Sequence, residues 1–373
     1  MRPSDHLLTL EKARATSDDR HRDGEVWPGL LYGYGDSARL VSGSPLRAYQ
    51  SPTAYSVIRR RAEMVAALDW DVLWDDPRTP FGDTRAVPKG HWLPRLLARP
   101  NQELVRSKLN RLISKSHDIN GNAYIYTPRY PGDDGPSEMW VLPSNRVAVV
   151  PGSDRLVSGY LFQSRGRQWA IDADDVLHLK TPEPDADPAY SMYLGKSLLL
   201  AAFESTELEM QIARYGANYL ANDALPAFAV QAPKEMGPEE FKRFKTQWNE
   251  TFQGSSRRGK WALLDDGKTI ETFTSGGQLA DLSELHEPTM ERICMVLGYP
   301  AAALTWKDMN YATAREMQQS IFETIMKPHA QYIGEEMTLH FGAYEKGLVV
   351  QPILPEPPSD PATQERGFRV IMD

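Results

Sequence analysis

Apolar positions in this chain follow two different periods, and the switches between them divide it. From residue 51 to 68 they fall three and four apart. Tyr55, Ile58, Ala62, Val65 and Ala66 share one helical face, and Ser51-Pro52 supplies the N-cap and first-turn pair that opens such a helix. The next stretch, "WDVLW", alternates and sets Trp70, Val72 and Trp74 on one side of a strand. Helical spacing returns from Asn101 to about Ile119 through Leu104, Leu109, Leu112 and Ile113, with Gly121 where the helix would stop. Short alternating segments follow: "NAYIYT", "EMWVL", "RVAVV", "GYLFQ", "QWAI" and "DVLHLK", separated by Gly, Pro, Asp and Asn. They predict a β-rich block of hairpins. To about residue 190 the chain reads as α+β, without the repeating strand and helix of a nucleotide-binding sheet.

Beyond Pro188 the helical period dominates. Lys196 to about Ala221 predicts one helix of about 26 residues, roughly 39 Å long. "NDALP" ends it, because Pro226 disfavours helical geometry at Leu225. Residues 226–275 then form a small insert: a strand "AFAVQA", a helix from Pro238, and strands "KWALLDD" and "KTIETF" joined at Asp266-Gly267, a strong hairpin signal. Phe241, Phe244, Trp248 and Phe252 make one stripe on the insert's helix and are expected to pack on that hairpin. A helix follows from about Asp281 to Leu297, kinked or opened by Pro288, and a last long helix runs from Ala312 to about Phe341, interrupted by Pro328. Between those two lies a polar-aromatic loop, 301–311, containing Leu304, Thr305, Trp306, Lys307, Asp308, Met309, Asn310 and Tyr311.

Composition narrows the class. With 373 residues, 41% hydrophobic and 25% charged, the chain is expected to be a soluble globular protein of two or three packed units. Its longest apolar runs, such as Leu198 to Phe203, fall far short of the roughly 20 residues of a membrane span, and Met1 to Leu10 lacks signal-peptide architecture, so a cytosolic compartment is expected. Residues 1–49, rich in Arg, Asp, Gly and Ser, read as a flexible arm. The one cysteine, Cys294, sits among Ile293, Met295 and Val296 and reads as a buried structural thiol. A formal charge of -8 disfavours a protein that coats nucleic acid with a basic face.

Catalytic patterns fail on inspection. "GKS" at Gly195-Lys196-Ser197 resembles the end of a phosphate loop, but Tyr190 occupies the position of its first glycine. There is no G-x-S-x-G, H-E-x-x-H or paired C-x-x-C. His178, in "DVLHLK", reads as a strand residue with a satisfied nitrogen, and His329 and His340 as structural. The acidic pairs Asp75-Asp76, Asp133-Asp134, Asp174-Asp175 and Asp265-Asp266 fall at turns, where Asp caps backbone amides. No catalytic residue, metal ligand or cofactor is indicated.

Four segments in order, "INGNAYIY", "DDVLHLK", "YLGKSLLLAAFESTELEMQIARYGANYLANDALPAFAV" and "MVLGYPAAAL…NYATAREMQQSIFETIMKPHAQYIGEEM", give the chain a resemblance to portal proteins of tailed bacteriophages, prophages and gene-transfer particles, over about residues 50 to 342. The chain has Asn222-Asp223 where the family usually has Asn-Gly, and it ends in "QPILPEPPSDPATQERGFRVIMD" where portals usually continue into a helical crown.

The resemblance implies a ring, typically of twelve subunits, at one capsid vertex, through which a packaging motor drives double-stranded DNA and from which DNA is later ejected. It implies an α+β subunit with a wing at 50–190, stem helices at 191–225 and 276–300, a clip at 226–275, a tunnel loop at 301–311, a long channel-side helix at 312–342 and a short Pro-rich tail at 343–373. Leu304 to Tyr311 would face the DNA channel. Arg257, Arg258 and Lys260 in the clip would meet DNA or docking proteins, over a clip core of Phe241, Phe244 and Trp248. Partners implied are further copies of the chain, DNA in transit, the terminase large subunit, a head-tail adaptor and the major capsid or scaffold protein, in a virion assembled in the bacterial cytoplasm. Overall acidity suits a conduit, since each neutralised phosphate adds salt-dependent grip. The alternatives are another oligomeric head-tail or secretion-type ring component, or a packaging-associated nucleic-acid enzyme.

Overall fold

The computed structural model describes residues 45–75, 84–88, 90–130, 132–164, 166–181, 184, 192–221, 228–231, 237, 239, 242–243, 246, 269–272, 276–305 and 310–355. In chain order the elements are α1 (Pro45–Ala48), α2 (Pro52–Ala66), β1 (Asp69–Asp75), β2 (Thr84–Ala86), α3 (Trp92–Ala98), α4 (Arg106–Asn120), β3 (Asn122–Tyr126), β4 (Trp140–Leu142), β5 (Val147–Pro151), β6 (Val157–Ser164), β7 (Arg167–Asp172) and β8 (Val176–Lys180). Then follow α5 (Leu198–Ala201), α6 (Phe203–Ala221), β9 (Phe228–Gln231), β10 (Thr269–Thr272), α7 (Gly276–Val296), α8 (Ala302–Thr305), α9 (Tyr311–Ile321), a π-helical turn (Phe322–Met326), α10 (Lys327–Gly342) and β11 (Leu348–Ile353). Mixed helices and small antiparallel sheets make it α+β, as the periodicity predicts. Among the described residues no helix is long and apolar enough to cross a membrane.

The chain divides into two compact units, residues 204–292 and the remainder. In the larger unit, β1 lies between β11 and β2, β3 lies between β4 and β8, and β5, β6 and β7 form a meander. Leu68, Leu93, Ile113, Ile125, Ile333 and Phe341 belong to one buried apolar cluster that joins β1 and β3 to α3, α4 and α10. A second cluster, with Tyr124, Val149, Tyr160 and Ile171, sits between β3 and the meander. In the smaller unit β9 pairs antiparallel with β10, from Thr269 opposite Gln231 to Thr272 opposite Phe228.

Several sequence expectations need correction. The helix expected from Asn101 begins at Arg106, because the Asn101 side chain accepts from Glu103 N and Leu104 N at 2.8 and 2.7 Å, folding 101–105 into a turn. Its Leu112 is 42% exposed and so is not part of the buried stripe. The β-block is hairpins only in part: β3 with β4, β5 with β6 and β6 with β7 pair as neighbours in sequence, but β8 returns to pair with β3 from Asn122 opposite Lys180 to Tyr126 opposite Val176. The helix expected from Lys196 begins after Ser197 and breaks at Ala202 into α5 and α6. Pro288 does not open α7, which starts at Gly276. The last helix is interrupted just before Pro328: a π-helical turn leads into α10 with the proline in its first turn, where a missing N–H costs least.

Five elements were not anticipated: α1 inside the expected arm 1–49, β2, α3, α8 inside the expected loop 301–311, and β11. Helix α3 contains Pro94, tolerated because it lies in the first turn after the His91 cap. Strand β11 falls in the expected Pro-rich tail; Pro352 is accommodated because β11 is an edge strand. It lies against α10, where Thr338 Oγ1 accepts from Val350 N at 2.8 Å and a Cβ at Gly334 would come within 2.9 Å of Val350 O.

Candidate functional site

The C-terminal end of α4 collects the segments that carry the family resemblance. Gly121 ends the helix in the left-handed conformation, φ 71°, with its N–H donating to His117 O at 2.7 Å, which glycine adopts at least cost. Its position is also sterically exclusive, since a Cβ there would collide with the Lys196 backbone, and one at Gly195 would collide with Gly121 O. Two distant glycines thus let two backbone segments touch.

Asn122 seals that contact. Its amide donates to Asn120 O at 3.0 Å and Gly195 O at 2.8 Å, while its Oδ1 accepts from Gly195 N at 2.8 Å and lies 3.0 Å from His178 Nε2. With the amide oriented this way, His178 donates from Nε2, and Nδ1 accepts from the Tyr160 hydroxyl at 3.3 Å. His178 is stacked on Tyr124, ring centres 4.3 Å apart, and burial, with Lys180 adding, pushes its pKa down to about 3. Ser197 caps α5 by accepting from Leu199 N at 3.1 Å and donates to Ile119 O at 2.5 Å. "GKS" is therefore a junction: the glycine permits close approach, the serine caps a helix, and Lys196 is exposed.

One turn earlier, Asp118 is fully buried and held by Arg61 of α2, Nε to Oδ2 at 3.0 Å and Nη2 to Oδ1 at 3.1 Å. Burial opposes ionisation of Asp118, but the guanidinium outweighs it and keeps the carboxyl below its ordinary range. Arg61 Nη1 also reaches Leu297 O at 3.5 Å, and the neighbouring Arg60 donates from Nη1 to Ala303 O at 3.0 Å. His117 and His329 flank the pair with rings 5.5 Å apart; His329 Nε2 is 3.3 Å from Ser114 Oγ, and His117 Nε2 is 3.2 Å from Thr181 Oγ1. Burial, reinforced by His329, pushes His117 down to about 4, and burial also lowers His329. The Tyr332 hydroxyl bridges Lys180, accepting from its N at 3.0 Å and donating to its O at 2.7 Å.

Ligand atoms of His117, Asp118 and His329 lie within 4.8 Å of one another, a spacing that suits a metal ion. Arg61 already faces both Asp118 oxygens, so a divalent cation would add its charge to a buried site whose carboxylate is neutralised. The arrangement favours a cross-link over a metal centre.

Of the residues expected to face a channel, Leu304 and Thr305 lie in α8, half-buried and exposed respectively. Asn310 is exposed and caps α9, accepting from Thr313 N at 2.8 Å, and Tyr311 is that helix's first residue. Trp306, Lys307, Asp308 and Met309 lie outside the described residues, as do Arg257, Arg258, Lys260, Phe241, Phe244 and Trp248. Cys294 is buried and outside any disulfide among the described residues, and His340 pairs with Thr127 Oγ1 at 2.9 Å, as structural roles require. Sequence reasoning missed Arg60, Arg61, Asp118, Asn122 and Ser197. The signal available was that "INGN" and "YLGKS" each join a small residue to a polar one at an expected helix end.

Residues 52–355 match the family model described as phage portal protein. A probable portal protein of Streptomyces phage phiC31 is 25% identical over 295 residues, 75% of this chain and 60% of that one. An uncharacterized protein of Rickettsia felis is 26% identical over 318 residues, 83% of this chain and 78% of its own length. Among solved structures, the neck of an empty gene transfer agent (GTA) particle superposes with a TM-score of 0.66 at 20% identity, covering 96% of this chain and 94% of that one. The neck of the native particle, computed with C12 symmetry, gives 0.64 at 19% identity over 95% and 93%. An HK97 family phage portal protein from Corynebacterium diphtheriae gives 0.55 at 14% identity over 86% and 95%. The chain belongs to the phage portal protein family.

Proposed function

We propose that the chain closes into a ring, twelve copies in the particle, at one capsid vertex, and that this ring is the conduit for double-stranded DNA during packaging and ejection. The observation that carries the proposal is the junction at the end of α4. There Ile119 and Asn122 hold the start of α5, and Arg60 and Arg61 hold the backbone before residue 306. Such a junction suits a subunit that must fix the roots of long elements while presenting a loop elsewhere. The C12 symmetry of the similar gene transfer agent neck supports the copy number. Cyclic closure also buries apolar helix faces without fibre growth.

On this reading residues 50–190 are the wing, 191–225 and 276–300 the stem helices, 226–275 the clip, 301–311 the tunnel loop and 312–342 the channel-side helix. Leu304, Thr305, Trp306, Lys307, Asp308, Met309, Asn310 and Tyr311 present a nearly neutral, partly aromatic surface to the duplex. DNA carries a phosphate charge about every 1.7 Å of its axis, so a lining with few unpaired cations lets it slide. The clip, through Arg257, Arg258 and Lys260, docks the terminase large subunit and later a head-tail adaptor, and the wing meets capsid or scaffold protein as particles assemble in the bacterial cytoplasm. The subunit itself catalyses nothing; ATP hydrolysis belongs to the motor.

Deleting 305–310 and bridging with glycine is the direct test. Rings should still form while packaged DNA is lost or poorly retained. Loss of the ring would make the loop a subunit interface and overturn its channel role.

A further inference from the structure

We infer that Arg60 is a positioning residue for the 301–311 loop, anchoring the backbone from which it departs, and that Arg61 ties the same root to the α4 junction. The inference rests on the tunnel-loop reading for its consequence in DNA handling, but not for the anchoring itself.

Helix α7 ends in a complete left-handed stop. Gly298, φ 63°, donates to Met295 O at 3.1 Å and Tyr299 donates to Cys294 O at 2.9 Å, the paired bonds of a Schellman motif. That motif satisfies two terminal carbonyls; Leu297 O lies beyond it and accepts from Arg61. The chain then turns through Ala303 N to Pro300 O, 3.0 Å, and Leu304 N to Ala301 O, 2.9 Å, into the single turn of α8. A four-residue helix has no continuing turn to occupy its carbonyls, and Ala303 O accepts from Arg60 at 3.0 Å. Two adjacent guanidiniums thus satisfy backbone carbonyls at two helix ends six residues apart. Each places positive charge where the peptide dipoles leave negative charge.

The two arginines do different work. Arg61 is committed to buried Asp118 by two hydrogen bonds, and its removal would leave a buried carboxylate without its cation. Among the described residues the Arg60 guanidinium meets the Ala303 carbonyl, and Ala303 is itself 2% exposed, so the contact fixes a packed residue one position before Leu304. Downstream, the Asn310 cap defines where α9 begins. The loop therefore leaves from a clamped point and re-enters at a capped one.

The test uses the full-length ring and compares Arg60→Gln, Arg60→Lys and wild type by amide hydrogen exchange at Ala303 and Leu304, with DNA retention in assembled particles as a second readout. Arg60→Gln should raise exchange at these amides about fivefold or more with the melting temperature unchanged. Arg60→Lys, which keeps a cationic donor, should restore most of the protection. Wild-type exchange in Arg60→Gln, or Arg60→Lys exchanging as fast as Arg60→Gln, would overturn the anchoring. Faster exchange with undiminished DNA retention would leave the anchoring standing and remove the channel role of the loop.

Discussion

The apolar cluster and the polar junction share helices α4 and α10 but are built on opposite principles. The cluster around Leu93, Ile113, Ile125 and Phe341 needs only volume and burial. At the junction, Asn122, His178, Asp118 and Arg61 need particular partners 56 to 73 residues away. Apolar packing tolerates exchange among residues of like size, whereas a half-satisfied buried network costs more than none. The junction is thus suited to fixing where chain segments meet, and the cluster to holding the unit together.

Acid should separate the two most strongly. His117, His178 and His340 have folded pKa values lowered to about 4, 3 and 4, each with burial as the largest cause. The unfolded chain binds protons at these groups below about pH 6.5 while the folded chain does not, so stability falls as pH drops through that window. Between pH 7 and pH 5 each contributes a loss of about 2 kcal/mol, and together roughly 6 kcal/mol. Urea unfolding at the two pH values checks this, and His178→Phe should remove its share. Equal midpoints would show that these imidazoles are not held neutral.

Next in size is Asn122→Ala. It strips partners from Gly195 N, Gly195 O and His178 Nε2 at once and should cost about 4 kcal/mol by chemical denaturation. Leu93→Ala, in the apolar cluster, should cost a similar ~2 to 5 kcal/mol, but with no change in pH dependence. If Leu93→Ala altered the acid profile as strongly as His178→Phe, the two regions would not be separable.

The smallest effect is expected at Lys196→Ala. The side chain is exposed, so stability should change by no more than about 0.5 kcal/mol, and any ATP turnover in a purified sample should be the same in both proteins. Turnover that survives repurification and disappears with the substitution would restore a phosphate-loop reading of "GKS".

These contrasts explain what the sequence made legible. The helix from Ser51-Pro52, the strand with Trp70 and Val72, the Gly121 stop and the buried Cys294 all follow from local period or capping, and all are found. Strand β11 was hidden because Gln351-Pro352 interrupts its apolar pattern, and only its edge position makes the proline acceptable. Apolar spacing alone extends α4 back to Asn101, while the deciding bond is a side chain folding back on Glu103 and Leu104. At the junction, Asn122 and Gly195 could be noticed as residues of a resemblance. Their meeting could not, since the pairing of β3 with β8 and the close approach of Gly121 to Lys196 are tertiary facts.

Electron cryomicroscopy of the purified ring tests the central claim most directly. The account predicts a closed ring with twelve-fold symmetry in the particle, residues 301–311 at the bore, and Arg60 seated on Ala303 O in every subunit. A ring with these residues on its outer rim, or protein that remains monomeric under conditions where capsids assemble, would contradict it.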